Sequence, residues 1–216
     1  MAEAMVQGID VSHFQGTIDW NEVAKAGKDF AFIKATDGCV GADPMFKTNW
    51  QAARAAGLRR GAYHFFRPQQ DSERQAFRVI EMLGNDMGEL PVVLDFEMLG
   101  DTSAEEGLRG AMRWMDVVEQ ASGRKPILYT GPVFWEADLS DSTLFADYPL
   151  WIAHYTAATK PHIPAAWNRW TFWQHSERGA VKGIKGAVDL DRFHGTLTEL
   201  DVPGERIQEK IAAIGC

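Results

Sequence analysis

Short apolar runs that alternate with helix-like segments constrain the fold of this chain more than any other feature of its sequence. Eight runs have the length and composition of buried strands, at residues 8–11, 31–35, 61–65, 92–96, 126–130, 150–154, 170–174 and 188–190. Helical patterns separate the early runs, which predicts βα units and a parallel sheet. The later runs follow one another closely, with little helix between them. We therefore predict an α/β fold, a modified (β/α) barrel that is TIM-barrel-like, with eight strands and about five helices.

Five segments have helical periodicity, at residues 21–26, 47–56, from 72 onward, 107–121 and 203–214. Asp19 precedes the first segment and is a suitable N-cap. Gly57 and Gly123 follow the second and the fourth, where glycine commonly ends a helix. Ser72 and Gln75 open the third with the spacing of a capping box. The fifth is predicted to be a final amphipathic helix.

The composition excludes some classes of partner. A formal net charge of -8 and a pI of about 5.2 argue against a nucleic-acid partner, which requires a basic face. The same charge argues against electrostatic capture on anionic membranes or anionic polymers, so a shaped cleft would have to bind any such polymer. Eight tryptophans and four tyrosines suit a cleft of this kind, although most of them are better placed in a core.

Cysteine usage and the chain ends say little about function. The sequence contains Cys39 and Cys216 and leaves their pairing open, because nothing in it brings the two Cα atoms together. No spacing typical of zinc ligands is present, and we expect neither a metal nor a cofactor. Residues 1–6 lack the basic and apolar regions of a secretory signal, and no apolar run is long enough to span a membrane.

The predicted fourth strand ends in two carboxylates. Residues 92–94 read as a strand buried on both faces, and Asp95 and Glu97 follow it. Side chains alternate along a strand, so both acids would point the same way, with Cα atoms about 6.6 Å apart. Neighbouring like charges raise one pKa, and a protonated acid beside an ionised carboxylate is what glycoside hydrolysis requires. The alternative is a strand that runs out into a solvated acidic loop.

Acids also occur in the predicted first and last strands. Asp10 lies in the first strand, and Asp189 and Asp191 lie in the last. A single aspartate beside a strand is usually a turn or cap residue. First and last strands are neighbours when a barrel closes, so Asp10 and Asp189 could flank the same opening as the pair after the fourth strand. The sequence therefore predicts a cluster of acids at the barrel mouth.

Other polar and aromatic residues lie in or at the ends of the remaining strands: Lys34, Tyr63, His64, Tyr129, Trp151 and Gln174, with His154 and Tyr155 after Trp151, and Trp173 and His175 on either side of Gln174. They could supply a stacking platform and groups that bind hydroxyls. For Lys34 the alternative is an edge residue whose ammonium reaches water. For His64 the alternative is a buried, hydrogen-bonded structural role.

These motifs resemble the family-25 glycoside hydrolases, the Chalaropsis-type lysozymes. The match is carried by residues 8–16 with 18–20, 32–38, 56–58 with 61–65, 90–97, and 150–153 with 173–175 and 188–193. Together these stretches cover about residues 6–196. The resemblance implies one catalytic domain over residues 1–216, with its core at about 6–196 and a C-terminal helix at 203–214.

The family implies a flattened β/α barrel that hydrolyses the β-1,4 bond between N-acetylmuramic acid and N-acetylglucosamine in peptidoglycan. By position, Glu97 resembles the general acid, Asp95 its partner, and Asp10 and Asp189 further catalytic acids of the cleft. The resemblance also implies substrate-binding residues: Tyr63, Lys34, Tyr129, Trp151, Gln174 and His64. Asp37 departs from the family, which more often has glutamate there.

Several alternatives stay open at this point. Asp95 could be a carboxylate nucleophile, or it could orient the substrate's own acetamido group, which the placement of both acids on one strand favours. A metal-dependent deacetylase using Asp10, His13, His64 and Asp95 is a rival enzyme, and a catalytically inactive glycan-binding module is a rival non-enzyme. We expect a monomer that binds peptidoglycan strands outside the cytoplasm, as a phage endolysin or a secreted enzyme whose leader has been trimmed.

Overall fold

The structure is a computed structural model that describes residues 5–200 of the chain. Its strands are β1 Val6–Val11, β2 Phe30–Asp37, β3 Gly41–Ala42, β4 Arg59–Phe65, β5 Val93–Asp95, β6 Ile127–Thr130, β7 Leu150–Ala153, β8 Phe172–Gly179 and β9 Val188–Phe193. Its helices are α1 Trp20–Lys25, α2 Phe46–Ala55, α3 Ser72–Leu83, α4 Ala104–Ser122, α5 Pro132–Ala137 and α6 Leu197–Leu200, with a 3₁₀ helix at His13–Gln15.

Eight of the strands close into a barrel, which confirms the predicted fold class. The order runs from β1 through β9, β8, β7, β6, β5 and β4 to β2, and β1 pairs with β2 to complete the ring. All neighbours are parallel except β9, which is antiparallel to both β8 and β1. β3 forms a short antiparallel pair with β2. Closure brings Asp10 directly opposite Asp189, as the sequence predicts.

Aromatic side chains fill the barrel interior. Phe30, Phe32, Trp151 and Phe172 are buried there, and the Phe32 and Trp151 rings stack with centroids 4.3 Å apart. A Cβ atom at Gly8 would lie 2.3 Å from the Phe30 ring, so only glycine fits at this position of β1. A second apolar layer lies between the outer face of the strands and the helices. The interior is therefore solid, and an open site can form only at an end.

Capping explains where the helices begin and end. The Asp19 carboxylate accepts a hydrogen bond from the backbone N–H of Glu22, which confirms the predicted N-cap of α1. Gly123 ends α4 in the left-handed conformation, with φ of 67°. The capping box predicted at Ser72 and Gln75 is wrong. Asp71 caps α3 instead, and it leaves Gln75 free to turn inward.

The elements that sequence patterning missed are the short ones: β3, α5 and α6. α5 and α6 have only six and four residues, too few to show helical periodicity, whereas α1, which also has six residues, was recognised with the help of its N-cap Asp19. The helix predicted at 203–214 lies outside the described residues, as does Cys216. Within residues 5–200, no helix is both long and apolar enough to cross a membrane.

Candidate active site

An open cleft of about 330 Å³ lies at the end of the barrel where the parallel strands terminate. Nine of the ten residues predicted from the sequence line it: Asp10, Lys34, Tyr63, Asp95, Glu97, Tyr129, Trp151, Gln174 and Asp189. Each inward position near the carboxyl end of a parallel strand reaches this opening. Asp189 reaches it from the start of β9, because that strand runs in the opposite direction.

Asp95 and Glu97 occupy different environments in the cleft. The Asp95 side chain lies deeper, with 6% of the residue exposed, and its Oδ1 has no hydrogen-bond partner among the described residues. Burial and then the charge of Glu97 raise the pKa of Asp95 well above its usual value. Glu97 faces the open cleft, and burial by the cleft walls raises its pKa as well. The charges of Lys34 and Arg67 oppose that increase.

A cation cluster lies beside this pair. Lys34 Nζ is 3.2 Å from Asp37 Oδ2, and Arg67 Nε donates to Asp37 Oδ1 at 2.7 Å. Burial works to raise the pKa of Asp37, but the hydrogen bonds and charges of Arg67 and Lys34 outweigh it and lower that pKa. Both cations also lie over the Phe65 ring, 4.7 Å and 4.3 Å from its centroid. Asp37 thus fixes the ammonium of Lys34 at the cleft wall.

Gln174 connects the opposite wall to Asp10. Its Oε1 accepts hydrogen bonds from the hydroxyls of Tyr129 at 2.9 Å and Tyr155 at 2.8 Å. Because both hydroxyls donate to the carbonyl oxygen, the amide nitrogen faces Asp10 and donates to its Oδ2 at 2.7 Å. Asp10 is therefore held in one orientation by residues from three other parts of the barrel.

Asp189 shares its part of the cleft with Glu177. Burial and then the charge of Glu177 raise the pKa of Asp189 to about 6. Glu177 could not be predicted as a cleft residue, because the β8 register shifts between Gln174 and Ser176 and breaks the alternation on which such a prediction depends.

The prediction that His64 binds substrate is contradicted by the structure. Its neighbours Tyr63 and Phe65 line the cleft, so alternation along β4 directs His64 to the outer face, where it is completely buried. Its Nε2 lies 3.0 Å from Gln75 Oε1 and its Nδ1 lies 2.7 Å from Thr36 Oγ1. Burial lowers the pKa of His64 to about 4, so it is a neutral structural residue.

The metal-dependent deacetylase alternative requires Asp10, His13, His64 and Asp95 to lie together, and the structure does not bring all four together. His64 and Asp95 lie on opposite faces of the barrel wall, and the His13 ring is bonded to Asp43 at 2.8 Å. Among residues 5–200, no group of three or more His, Cys, Asp or Glu side chains is placed to hold a metal ion. The proposed ligand set is therefore not assembled.

Two exposed aromatic residues form part of the cleft rim: Tyr155, which the sequence offers as a strand-end aromatic residue, and Phe14, which was not predicted as a site residue. Phe14 is 82% exposed, and its ring lies against the ring of His13 with centroids 4.2 Å apart. Tyr155 is 48% exposed and is anchored through its hydroxyl to Gln174. Exposure of an aromatic side chain cannot be recognised in a sequence, so only the fold identifies Phe14 as a cleft residue.

A closed barrel with buried and exposed carboxyl groups gathered at the strand ends has the architecture of a barrel glycosidase. Comparison with known proteins makes the class specific. The sequence model of the family described as Glycosyl hydrolases family 25 matches residues 9–184. The chain belongs to this family and is a glycoside hydrolase.

Named relatives agree with this assignment. Lysozyme M1 of Streptomyces globisporus is 37% identical over 206 residues, which cover 90% of this chain and 70% of that protein. The N,O-diacetylmuramidase of Chalaropsis sp is 33% identical over 202 residues, covering 85% of this chain and 96% of that protein. The crystal structure of the bacterial lysozyme from Streptomyces coelicolor is similar with a TM-score of 0.84 and 34% identity, covering 92% of this chain and 96% of that one.

Proposed function

We propose that this glycoside hydrolase is a lysozyme, an N-acetylmuramidase that hydrolyses the β-1,4 bond between N-acetylmuramic acid and N-acetylglucosamine in bacterial peptidoglycan. The observation that carries the proposal is the meeting of Asp10, Asp95, Glu97 and Asp189 in one cleft. The substrate class is supported by relatives that are named lysozyme and N,O-diacetylmuramidase.

Glu97 is the proposed general acid, and substrate binding supports its protonated form. In the free enzyme the deeper Asp95 competes for the proton that the pair holds. A bound sugar removes water from Glu97, which raises its pKa further. The sugar's acetamido N–H can also donate to the unpartnered Oδ1 of Asp95, which stabilises the ionised form of that carboxyl. Binding therefore moves the proton toward Glu97, where it is needed.

We propose that the substrate's acetamido group supplies the nucleophile. Its carbonyl oxygen attacks the anomeric carbon while the bond to the leaving oxygen breaks, and that oxygen takes the proton from Glu97. Water then opens the cyclic intermediate and returns a proton to Glu97, which restores the enzyme. Asp95 holds the acetamido nitrogen throughout. Asp95 and Glu97 approach from one side, whereas a carboxylate nucleophile must attack from the side opposite the leaving group.

Trapping experiments separate this route from its alternative. A slow, fluorinated glycoside that accumulates a covalent intermediate would label Asp95 if that residue were the nucleophile. We expect no labelled peptide containing Asp95 in the mass spectrum of the digested enzyme. A covalent adduct on Asp95 would overturn the acetamido route while leaving the muramidase proposal intact.

The biological setting is proposed on the same basis. We propose that residues 6–196 act as one catalytic unit, as a monomer, on cell-wall glycan outside the cytoplasm. The acidic cleft contains neutral hydrogen-bonding groups on Tyr63, Tyr129 and Gln174, which suit sugar hydroxyls and acetamido groups.

Analysis of the new chain ends tests the bond that is cleaved. Purified peptidoglycan is digested, the new reducing ends are reduced, and the products are analysed by mass spectrometry. We expect reduced muramic acid at the new ends. Reduced glucosamine would show cleavage of the other glycosidic bond, and binding without any new reducing ends would favour the inactive glycan-binding module.

A further inference from the structure

Asp191 is a buried carboxyl group that the proposed reaction does not use. It points into the barrel from β9, one inward position below Asp189, and its exposed fraction is 0%. Its Oδ1 accepts a hydrogen bond from the indole N–H of Trp151 at 2.9 Å. Its Oδ2 is buried and receives no hydrogen bond from a conventional donor in residues 5–200. A buried oxygen in this state requires an explanation.

Asp10 provides that explanation. Asp10 lies opposite Asp189 on the neighbouring antiparallel strand, so Asp191, two residues further along that strand, lies diagonally across from Asp10, and the two carboxyl groups are within hydrogen-bonding reach. Gln174 already donates to Asp10 Oδ2 at 2.7 Å, which fixes how Asp10 faces its neighbour. Ionised carboxylates can only accept, so a hydrogen bond between the two groups exists only when one of them carries a proton.

The groups around the pair favour retention of that proton. None of the four nearby titratable residues is a cation. They face the Asp10–Asp191 pair from different elements: Asp189 from β9, Tyr63 from β4, Tyr129 from β6 and Tyr155 from the segment after β7. Lys28 precedes β2, and its positive charge opposes the increase in the pKa of Asp191 only weakly. Burial, followed by the charges of Asp191 and Asp189, raises the pKa of Asp10 well above its usual value. Burial raises the pKa of Asp191 to about 8.

We propose that Asp191 is a positioning residue for Asp10, and that the two carboxyl groups share a proton that holds Asp10 in place and removes one negative charge from the cleft floor. The inference rests on the proposed function in one respect, that Asp10 contacts the glycan. It adds a second stored proton to the one shared by Asp95 and Glu97. Only the latter is transferred to the leaving group.

Infrared spectroscopy tests the shared proton without any assay of activity. The protein is labelled with ¹³C at aspartate carboxyl groups, and the carbonyl band of protonated aspartic acid is measured at pH 7. In Asp191→Asn the amide can still accept from Trp151 and can donate to Asp10, so the protonated band should lose intensity. Asp189→Asn is the matched control on the same strand and should leave most of that band in place, because Asp189, with a pKa of about 6, is largely ionised at pH 7 and because burial, more than the charge of Asp189, raises the pKa of Asp10. An unchanged band in Asp191→Asn would refute the proposal.

The pH dependence of kcat/KM tests the positioning role. The wild-type enzyme needs the proton of Glu97 and the shared proton, so log kcat/KM should approach a slope of about -2 on the alkaline side once both protons are lost. In Asp191→Asn the amide replaces the shared proton permanently, and the slope should be about -1. Asp191→Ala should lower kcat/KM at every pH, whereas asparagine should restore it. Equal slopes in wild type and Asp191→Asn would contradict the role, and a loss that asparagine cannot restore would indicate a purely structural residue.

The two tests distinguish failure of this inference from failure of the proposed function. If the infrared band behaves as expected but peptidoglycan is not cleaved, the shared proton stands and the muramidase assignment fails. If peptidoglycan is cleaved but the band is unchanged, the muramidase assignment stands and the shared proton is refuted.

Discussion

Burial distinguishes two carboxyl groups that are only two residues apart. Asp95 is the last residue of β5 and remains in the barrel wall, whereas Glu97 has left the strand and faces the open cleft. The deeper group has an oxygen that a substrate N–H can satisfy, and the outer group can reach a leaving oxygen. This difference, rather than the two carboxyl groups as such, is the basis for the roles proposed for them.

Phe14 permits a prediction about substrate affinity. Its ring is presented by a 3₁₀ helix whose capping box joins Ser12 and Gln15, so the platform is preorganised. Phe14→Ala should raise KM for soluble glycan fragments about 3- to 10-fold with little change in kcat, since a stacking contact contributes roughly 0.5–1.5 kcal/mol. Phe77→Ala is a suitable control, because Phe77 is also exposed but lies on α3 outside the cleft. Equal effects of the two substitutions would rule out the platform.

Site prediction from the sequence succeeded where alternation along a strand is regular. Asp10, Tyr63 and Asp189 occupy regular inward positions and lie in the cleft as predicted. His64 and its neighbour Tyr63 were both assigned to the cleft. Adjacent residues of a strand point to opposite faces, so only one of the two can line it. Glu177 was missed because a bulge intervenes. Such irregularities arise from tertiary packing and leave no local signal.

At the scale of elements, β4 is tied to the segment before β5 by one buried guanidinium. Arg60 is completely buried, and its side chain donates to both Asp86 and Glu89 at 2.8–3.0 Å. Its guanidinium also lies 4.3 Å from the centroid of the Trp50 ring. The segment that follows leads directly into β5, so this contact helps to fix the strand that carries Asp95.

Arg60→Lys should therefore destabilise the protein while leaving the cleft chemistry intact. A lysine ammonium cannot bond both half-exposed carboxylates and the buried carbonyl of Trp50 through a planar fork, so some of these hydrogen bonds are lost around a cation that stays buried. We expect a loss of about 2–4 kcal/mol in the free energy of unfolding, measured by denaturant titration. The matched control is Arg78→Lys, whose only ion pair in the described structure is with the exposed Glu81 and should cost less than about 1 kcal/mol. A loss in Arg60→Lys no larger than in the control would contradict this account.

The predicted architecture of the elements was largely confirmed, and the exceptions have a common cause. Long amphipathic helices and apolar strands carry a periodic signal, so the barrel strands and α2 to α4 were recognised, and the short α1 was recognised beside its N-cap Asp19. The antiparallel direction of β9 has no such signal. It follows from the short connection after β8, which cannot return the chain to the other end of the barrel.

At the scale of the whole molecule, the buried acids predict how stability depends on pH. The pKa of Asp189 is raised to about 6 and that of Asp191 to about 8, whereas unfolded aspartate ionises near 3.9. As pH rises, both groups lose their protons at a lower pH in the unfolded state than in the folded state. They therefore lower the free energy of unfolding as pH rises from about 4 through 8. His64 works in the opposite direction, because its lowered pKa costs stability only as pH falls from about 6.5 to 4.

Above pH 6.5 the unfolded histidines lose their remaining protons, so the contribution of His64 and His175 fades and the acids dominate; the free energy of unfolding should therefore fall between pH 6.5 and 8. The fall should be at most about 1.4 kcal/mol per pH unit for each group that titrates. Chemical denaturation at pH 6.5, 7.25 and 8 measures it, and Asp191→Asn should reduce the slope. A free energy of unfolding that stays constant or rises over this interval would contradict the assignment of neutral buried carboxyl groups.

Glu97 is the proposed donor of the proton to the leaving oxygen, in a cleft where acids from β1, β5 and β9 meet. The most direct measurement is the initial rate of reducing-end release from purified peptidoglycan by the wild-type enzyme and by Glu97→Gln, with thermal unfolding as the control for folding. We expect the variant to lose about 10²–10⁴-fold in rate at an unchanged midpoint of unfolding, since general acid catalysis contributes that much. A folded Glu97→Gln variant that cleaves peptidoglycan within a few-fold of the wild-type rate would contradict the account.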